Sequence, residues 1–365
     1  MVKSDDGRNN INMMSALVFH GPHTLALENK PRPRIVHTTD AIVRITTTTI
    51  CGTDLHILKG DVPTIAEGRI LGHEGVGIIE EVGTTVSAFH KGDKVIVSLI
   101  TSCGRCSFCR KGMYAHCCNG GWLLGNSIDG TQAEYVRIPF AETGLYLLPP
   151  DMDEEAAVML SCILPTGMEC GALNGQVKPG DIVAVVGAGP VGIAALLAVR
   201  LYSPAEIIMI DLDDNRLDVA RKFGATQVLN SSDGKAAERV IALTHGAGVD
   251  VAIEAVGLSA TFDVCQAIVA PGGHIANVGV HGKPVNLHLE KLWASNVTLT
   301  TRLVDAGTTQ MLLRMVQSGR IDAKKLVSHR FELSEIIKAY ATFENAAKER
   351  ALKVVIRNTV HPEKI

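Results

Sequence analysis

No apolar stretch of this 365-residue chain reaches the roughly 18 consecutive residues that a helix needs to cross a bilayer. The first residues, MVKSDDGRNNINMM, are polar and contain no apolar segment of the kind found in a secretory signal peptide. The sequence therefore predicts no membrane span. We expect a cytoplasmic protein whose residues 1–14 form a flexible extension ahead of the first strand.

An excess of charge of either sign is also absent, since the formal net charge is −3 at pH 7. Nucleic acids and anionic membranes are bound by basic surfaces, so neither partner is expected. Hydrophobic residues make up 46% of the chain and charged residues 20%, which is the balance of a globular protein rather than a disordered one. The chain is too long for one ordinary core and fits two domains.

The first 150 residues have the pattern of a β-rich domain. Short apolar or alternating segments are separated by clusters of glycine, proline and threonine, which favours strands joined by turns. The predicted strands are Ala16–Phe19, Ala41–Ile45, Val76–Val82, Lys94–Ser98 and Ala133–Ile138. The segment YLLPPD, Tyr146–Asp151, ends this region with a paired-proline turn.

The pattern changes after Lys178, where apolar segments alternate with helical ones. Strands are predicted at Asp181–Val186, Glu206–Asp211, Gln227–Leu229, Val249–Val256, His274–Val280 and Val297–Thr300. Helices are predicted at Pro190–Tyr202, Asn215–Phe223, Lys235–Thr244 and Ala260–Ala270. Apolar strands that alternate with helices specify an α/β fold with a doubly wound parallel sheet. Two further helices and a last strand are predicted at Thr309–Ser318, Leu333–Asn345 and Leu352–Ile356.

A glycine-rich turn follows the first strand of this predicted sheet. It reads Gly187-x-Gly189-Pro190-Val191-Gly192. The first glycine allows a tight turn, the second lets the backbone approach a pyrophosphate, and the third lets the helix pack against its strand. The phosphates of a dinucleotide then lie at the positive end of the helix.

An acidic residue stands where such a site needs one. Asp211 ends the second strand, 24 residues after Gly187, where a carboxylate can accept hydrogen bonds from both hydroxyls of an adenosine ribose. A carboxylate there repels a 2′-phosphate, and Asp213 and Asp214 add to the negative field, so NAD is favoured over NADP. Arg216 is a further expected coenzyme contact. The alternative interpretation is a structural turn followed by a surface acid.

Four of the nine cysteines are clustered as Cys103-x2-Cys106-x2-Cys109-x7-Cys117. Two residues between thiolates let a tight turn direct both sulfurs at one ion, and four thiolates saturate a tetrahedral zinc. The spacing therefore predicts a structural zinc site. Cys118 adjoins the fourth ligand and is an alternative to it. Ordinary thiols, or a zinc ribbon that binds nucleic acid, are the other interpretations, although no wide basic face accompanies the cluster.

Two more segments carry residues that bind metals: CGTDLH over Cys51–His56, and GHEGVGIIEEVGTTV over Gly72–Val86. With the glycine turn and the cysteine cluster, they closely resemble the zinc-containing medium-chain alcohol dehydrogenase family, from about Ser15 to Ile356. The resemblance implies a GroES-like β-rich catalytic domain over residues 15–165 and 305–365. A Rossmann-fold coenzyme domain at 166–304 interrupts it.

The resemblance also implies a catalytic zinc bound by Cys51 and His73. The third ligand precedes a Thr-Gly pair in this family, and Cys162 has that offset. Three ligands leave a fourth position for water or substrate, where zinc lowers the pKa of a bound alcohol. Glu74 lies beside the metal in relatives, and Asp54 matches the carboxylate that holds the ligating histidine.

The same resemblance implies a proton route from the Thr53 hydroxyl through the coenzyme ribose to His56. A surface histidine is the alternative interpretation of His56. The expected contacts of the nicotinamide are Thr166, Val256, Val278 and Val280.

Bulky apolar residues near these motifs are expected to line the substrate pocket. They are Leu99, Trp122, Leu123, Trp293 and Leu303. Such a lining favours a medium-sized or secondary alcohol, or the matching ketone or aldehyde, although core or interface packing explains each residue equally well.

Two alternatives to this function stay open from the sequence. One is a polyol, diol or threonine dehydrogenase of the same superfamily, and the other is a zinc-ribbon or nucleotide-binding protein without activity. The chain between Cys117 and Gly130 lacks the longer loop of dimeric animal-type relatives. The resemblance therefore implies a homotetramer.

Overall fold

The computed structural model describes residues 13–359. The strands within this range are β1 Met13–Phe19, β2 Leu25–Pro31, β3 Ala41–Thr49, β4 Arg69–Ile70, β5 Gly75–Val82, β6 Lys94–Val97, β7 Tyr135–Ile138, β8 Leu145–Leu147, β9 Ile182–Val186, β10 Glu206–Asp211, β11 Gln227–Asn230, β12 Val249–Glu254, β13 Val269–Asn277, β14 Thr298–Thr301, β15 Val327–Glu332 and β16 Lys353–Arg357.

The helices of the same range are α1 Gly52–Lys59, α2 Ala141–Gly144, α3 Glu154–Ala157, α4 Ile163–Thr166, α5 Pro190–Arg200, α6 Asp214–Lys222, α7 Ala236–Leu243, α8 Ser259–Ile268, α9 Leu289–Leu292, α10 Thr309–Gln317, α11 Ile336–Glu344 and α12 Ala346–Glu349. A π-helical stretch, Gly167–Leu173, continues α4. Short 3-10 turns lie at Cys109–Lys111, Tyr114–His116, Val158–Leu160, Ala323–Leu326 and Leu333–Glu335.

The chain divides into two compact units. The first comprises the described residues up to Cys162, together with Asp322–Asn345 and the described residues from Lys353 on. The second comprises Ile163–Ile321 and Ala346–Leu352. The chain therefore leaves the first unit twice and returns to it twice.

These limits differ from the expected ones mainly over residues 305–321, which belong to the second unit. The Glu169 carboxylate of that unit explains the difference. It accepts hydrogen bonds from the backbone N–H groups of Asp305 and Thr308, at 2.8 Å each. Glu169 is buried, so these bonds satisfy a carboxylate that is otherwise costly to remove from water.

The first unit is built on β-sheets, as the alternating apolar pattern of its sequence predicts. A seven-stranded mixed sheet has the order β15-β16-β3-β5-β6-β8, and β7 pairs with β3. A three-stranded sheet has the order β2-β1-β4. The apolar faces of β3, β5, β6 and β7 form one core, which includes Val43, Ile79, Val95 and Val136.

The second unit is built on a six-stranded sheet of order β11-β10-β9-β12-β13-β14. All of its strand pairs are parallel. Numbered from β9 within the unit, the order is 3-2-1-4-5-6, the doubly wound arrangement that binds dinucleotides where the strand order reverses. The reversal lies between β9 and β12, at the end of β9 where the glycine turn begins. The predicted doubly wound sheet is confirmed.

The prediction of a flexible extension over residues 1–14 is wrong for its last two residues, and its first twelve lie outside the described range. Met13 and Met14 open β1 and pair with Pro31 and Lys30 of β2. Met14 is buried in a small apolar core, which ties this end of the strand down. Hydrophobic burial therefore extends β1 three residues beyond the predicted start at Ala16.

No single helix among the described residues is long and apolar enough to cross a membrane. The helical stretches 154–160 and 163–173 meet the length and composition criteria only when they are taken together.

A buried carboxylate in the first unit gives a test of how this fold is held together. The Glu155 carboxylate accepts from Arg330 Nε at 2.8 Å and from Arg357 Nη2 at 2.5 Å, and the guanidinium groups lower its pKa. A carboxyl with a lowered folded-state pKa stabilises the fold above its unfolded pKa, and this stabilisation is lost as the pH falls through the folded pKa.

We therefore expect Glu155→Gln to lower the free energy of unfolding by about 1–2 kcal/mol at pH 7, since both arginines are half-exposed. The difference in unfolding free energy between the variant and the parent protein should shrink as the pH falls below the ordinary pKa range of a carboxyl group. Chemical denaturation at pH 7 and in acid measures both quantities. Glu81→Gln, which changes an exposed carboxylate, is the control, and an equal loss there would contradict the prediction.

Candidate functional site

Four side chains converge in the first unit. The sulfurs of Cys51 and Cys162, a ring nitrogen of His73 and a carboxylate oxygen of Glu74 all lie within 4.8 Å of one another. Cys51 is the residue before α1, His73 and Glu74 join β4 to β5, and Cys162 is the last residue of its segment. The fold thus brings together Cys51 and Cys162, which are more than a hundred positions apart in the sequence.

The backbone before His73 needs a glycine. Gly72 has a φ of +92°, and a Cβ atom there would lie 2.6 Å from Gln132 Cγ and 2.8 Å from Thr131 Oγ1. A side chain at this position would collide with these atoms and strain the backbone that leads to His73.

The donor set fits zinc. Two thiolates and an imidazole are ligands that zinc prefers, and ligand atoms around a tetrahedral zinc lie roughly 3.3–3.8 Å apart, given bonds of 2.0–2.3 Å. Two buried oxygens, Asp54 Oδ1 and Glu74 Oε1, have no hydrogen-bond partner among the residues that the structure describes. His73 Nδ1 faces Asp54 Oδ1 across 4.0 Å, so the other ring nitrogen, Nε2, lies on the opposite side of the ring.

In the protein alone, the four groups perturb one another. A hydrogen bond with Cys162 holds the pKa of Cys51 well below its usual range, while the pKa of Cys162 is raised. Burial opposes the positive charge of His73, but the negative groups Cys51, Asp54 and Glu74 together outweigh burial and raise the pKa of His73 to about 9. Burial raises the pKa of Asp54 to about 7. Such an arrangement of charge suits a cation between these groups.

Lys353 is a buried partner of this group that the sequence interpretation did not identify. Its Nζ lies 2.5 Å from Glu74 Oε2 and donates to the Ile50 carbonyl at 3.2 Å. Burial raises the pKa of Glu74 and the ammonium group opposes that rise. The sequence feature that indicates such a partner is a lysine within the otherwise apolar segment ALKVVI, Ala351–Ile356. Buried lysines are rare unless they are paired with an acidic group.

Asp54, at the first turn of α1, is held by donors. Its Oδ2 accepts from the backbone N–H of Cys51 at 2.8 Å and from Gln132 Nε2 at 3.1 Å. This leaves Oδ1 directed toward His73. The expected role of Asp54 beside the histidine is thus compatible with the geometry, although 4.0 Å exceeds hydrogen-bonding distance.

The two residues expected to carry a proton also lie on α1. The Thr53 hydroxyl is 3.6 Å from Cys51 Sγ. His56 is partly exposed, and its Nδ1 lies 2.8 Å from Asp61 Oδ2. The exposed imidazole is in contact with solvent, as a terminal proton carrier needs to be.

A second ligand group is formed by Cys103, Cys106, Cys109 and Cys117, whose sulfurs lie within 4.8 Å of one another. The backbone N–H of Cys103 donates to Cys117 Sγ at 3.2 Å. Cys118 is exposed and is not part of the group, so the geometry favours Cys117 over Cys118 as the fourth ligand. The backbone N–H of Cys109 lowers the pKa of Cys106 to about 6, which favours the thiolate that zinc binds.

The glycine turn of the second unit has the geometry that its motif predicts. Gly187 has a φ of +107°, and a Cβ at Gly192 would lie 1.8 Å from the Gly187 carbonyl oxygen. A Cβ at Gly189 would meet nothing within 4 Å. Gly189 therefore borders open space at the start of α5, while Gly187 and Gly192 are closely packed.

Asp211 is tied to this turn. Its Oδ2 accepts from the backbone N–H of Ala188 at 2.7 Å, and its Oδ1 accepts from that of Asp213 at 3.0 Å. Arg216 Nη1 lies 3.9 Å from Oδ2. The carboxylate thus has a fixed position at the end of β10, and each oxygen keeps a lone pair for a further donor.

Other predicted coenzyme contacts belong to the same unit. Thr166, Val256 and Val278 are half-buried and Val280 is exposed. The Glu254 carboxylate, at the end of β12, accepts from the backbone N–H groups of Val256 and Gly257 at 3.0 and 2.9 Å. This fixes the backbone of the segment that follows β12.

The predicted substrate-pocket residues are distributed over both units. In the first, Leu99 is buried, Leu123 is half-buried, and the Trp122 ring lies edge-on to the His73 ring with 6.0 Å between centroids. In the second, Trp293 is 79% exposed and Leu303 is 44% exposed. Their shared role stays a prediction.

The chain is similar to known proteins over nearly its full length. Residues 37–150 match a family model described as alcohol dehydrogenase GroES-like domain, and residues 190–318 match one described as zinc-binding dehydrogenase. An alcohol dehydrogenase of Cupriavidus necator is 39% identical over 370 positions, which cover 94% of this chain and 99% of that protein.

Two solved structures are also similar. The apo form of zinc-dependent alcohol dehydrogenase 2 from Streptococcus pneumonia has 55% identity and a TM-score of 0.92, and the match covers 95% of this chain and 99% of that one. An alcohol dehydrogenase from a Thermus species has 35% identity and a TM-score of 0.87, covering 94% and 100%.

Proposed function

This chain belongs to the zinc-containing medium-chain alcohol dehydrogenase family, and from that premise we propose that Cys51, His73 and Cys162 hold its catalytic zinc. The enzyme is a zinc-dependent alcohol oxidoreductase with a GroES-like unit and a Rossmann-like unit. The convergence of these three side chains in one buried group carries the proposal. Cys103, Cys106, Cys109 and Cys117 are assigned to a structural zinc, which makes two zinc ions per chain.

A zinc ion on three protein ligands supplies a Lewis acid that lowers the pKa of an alcohol at the open position. The residues around it handle charge and protons. Two thiolates would offset the charge of the metal, and Asp54 Oδ1 faces the imidazole of His73 across 4.0 Å. The Thr53 hydroxyl would accept the alcohol proton, and His56, which is held by Asp61 and is partly open to solvent, would release it to water.

The coenzyme is assigned to the turn of the second unit. Backbone N–H groups at the start of α5 bind the pyrophosphate beside Gly189, where no Cβ obstructs its approach. Asp211 accepts from the adenosine ribose, with Arg216 beside it. Thr166 and the valines at the ends of β12 and β13 are assigned to the nicotinamide. The negative charge of Asp211 supports NAD over NADP.

We expect Asp211→Asn to raise the ratio of kcat/KM with NADP to that with NAD by about tenfold, because one negative charge near the 2′ position is removed. Asparagine keeps an acceptor oxygen for the Ala188 N–H of the turn and loses only the bond from the Asp213 N–H. Steady-state kinetics with both coenzymes measures the ratio. Asp214→Asn changes a more exposed neighbour and should alter the ratio less; an unchanged ratio in Asp211→Asn would refute the charge argument.

The substrate is assigned as a medium-sized or secondary alcohol, interconverted with its ketone or aldehyde. Leu99, Trp122 and Leu123 support an apolar pocket beside His73. A panel of primary and secondary alcohols, 2,3-butanediol, sorbitol and threonine with NAD tests the assignment. Turnover should be highest with the monofunctional alcohols. Highest turnover with sorbitol, the diol or threonine would overturn it in favour of the corresponding dehydrogenase.

We further propose a homotetramer, on the basis of the short connection between Cys117 and Gly130. Light scattering of the purified protein measures its mass against the chain mass of 38.9 kDa. A mass of four chains is expected, and a mass of two would refute the tetramer.

A further inference from the structure

A buried chain of polar side chains runs from α11 toward the candidate zinc site of the first unit. The Tyr340 hydroxyl donates to Gln132 Oε1 at 2.8 Å, and Gln132 Nε2 donates to Asp54 Oδ2 at 3.1 Å. Gln132 Nε2 also lies 3.2 Å from the Thr49 carbonyl oxygen. Gln132 and Asp54 are almost fully buried, and Tyr340 is 3% exposed.

The orientation of the Gln132 amide decides what Asp54 meets. One end of an amide only accepts hydrogen bonds and the other only donates them. The Asp54 carboxylate and the Thr49 carbonyl only accept, so they need the NH2 end on their side. The oxygen end then faces Tyr340, whose hydroxyl donates to it and holds it in place. In the flipped amide, two oxygens would face each other at Asp54, in a place without access to water.

Gln132 also touches the backbone that carries the histidine. Its N–H donates to the Leu71 carbonyl at 3.0 Å, and its Cγ lies where a side chain of Gly72 would be. Gln132 thus contacts the backbone before His73, through its own N–H and Cγ, and through its amide the carboxylate that faces the His73 ring.

We propose that Tyr340 and Gln132 are positioning residues of the catalytic zinc site. Tyr340 fixes the Gln132 amide, and Gln132 together with the Cys51 N–H occupies Asp54 Oδ2. Oδ1 is then left to face His73 Nδ1 across 4.0 Å, so that Nε2 is the nitrogen presented to the metal. The inference rests on the proposed assignment of Cys51, His73 and Cys162 as zinc ligands. Both residues act through Asp54, and neither contacts the metal.

The test is the zinc affinity of the catalytic site in Tyr340→Phe and Gln132→Leu, measured on the full chain by competition with a chromogenic chelator. Partners behind a ligating histidine change metal affinity by about 10–100-fold, so a loss in this range is expected for both variants. The structural cysteine site serves as an internal reference and should keep its affinity. The cobalt-substituted protein gives a second readout, because its visible absorption bands should shift when His73 changes orientation.

Controls separate positioning from general destabilisation. Tyr202→Phe removes a hydroxyl from the second unit, whose contact is Met168 Sδ at 3.9 Å, and should leave zinc affinity unchanged. The double variant should bind zinc no more weakly than Gln132→Leu alone, since Tyr340 acts only through Gln132. If Tyr340→Phe does not fold, Gln132→Leu carries the test alone.

Two results would overturn the proposal. One is a catalytic-site affinity within twofold of the parent protein with an unchanged cobalt spectrum. The other is an equal weakening of both zinc sites, which would indicate a structural role only. Failure of the underlying ligand assignment is distinguishable, because the parent protein itself would then bind a single zinc per chain.

Discussion

Cys162→Ala should reduce kcat/KM for alcohol oxidation by about a thousandfold or more. The change removes one of three ligands from a buried site, and a Lewis-acid metal contributes several kcal/mol to stabilising the transition state. A loss of about 4 kcal/mol corresponds to about a thousandfold in rate. Initial rates of NADH formation with a secondary alcohol at saturating NAD measure the effect.

The matched control for this variant is Cys118→Ala. Cys118 is an exposed cysteine outside both ligand groups, so its removal should leave turnover unchanged. A Cys162→Ala enzyme that keeps more than a tenth of the parental activity would contradict the assignment of Cys162. Equal losses in the two variants would attribute the effect to thiol chemistry unrelated to the catalytic metal.

Lys353→Met should lower the free energy of unfolding by about 3–5 kcal/mol. Lys353 and Glu74 are both almost fully buried, with 2.5 Å between Nζ and Oε2, and removal of one partner of such a pair leaves the other charge uncompensated. Methionine keeps most of the side-chain volume, so the change reports mainly on charge. Urea denaturation of the parent and the variant at pH 7 measures the loss.

Glu74→Gln added to Lys353→Met removes the second charge. The double variant should regain most of the lost stability, because a buried pair replaced by neutral groups of similar volume is often tolerated. An unfolding free energy of Lys353→Met within about 1 kcal/mol of the parent would indicate that the pair contributes little. A double variant less stable than either single one would mean that the two residues are not energetically linked.

The features that the sequence predicts best are those coded by local spacing. The glycine turn at Gly187–Gly192 and the cysteines from Cys103 to Cys117 depend on residues only a few positions apart, and the structure forms both as expected. The doubly wound sheet follows from the alternation of apolar segments with helical ones, because each buried strand can be predicted from its own sequence without knowledge of its partner strands.

Contacts between distant segments were not predictable in this way. Lys353 and Glu74 are 279 positions apart, and Tyr340 and Gln132 are 208 apart. Nothing in local periodicity indicates which buried polar residue meets which. The helix α1 was also missed, because its eight residues include Gly52, Thr53 and Asp54, which are poor formers of helix interiors.

The N-terminal strand illustrates a different limit. Met13 and Met14 follow a polar sequence, and their place in a strand depends on the pairing of β1 with β2. The residue pattern of Leu25–Pro31 does not indicate that β2 is a strand. The boundary of the second unit depends in the same way on Glu169, whose partners lie far along the chain. Tertiary contacts thus determined the limits of elements whose existence the sequence indicated.

The account of the zinc sites is tested most directly by the number of zinc ions per chain, measured by mass spectrometry of metals on the purified protein and on Cys162→Ala. The account predicts two zinc ions in the parent protein and one in the variant, with the cysteine cluster still occupied. One zinc ion in the parent protein, or two in Cys162→Ala, would contradict it.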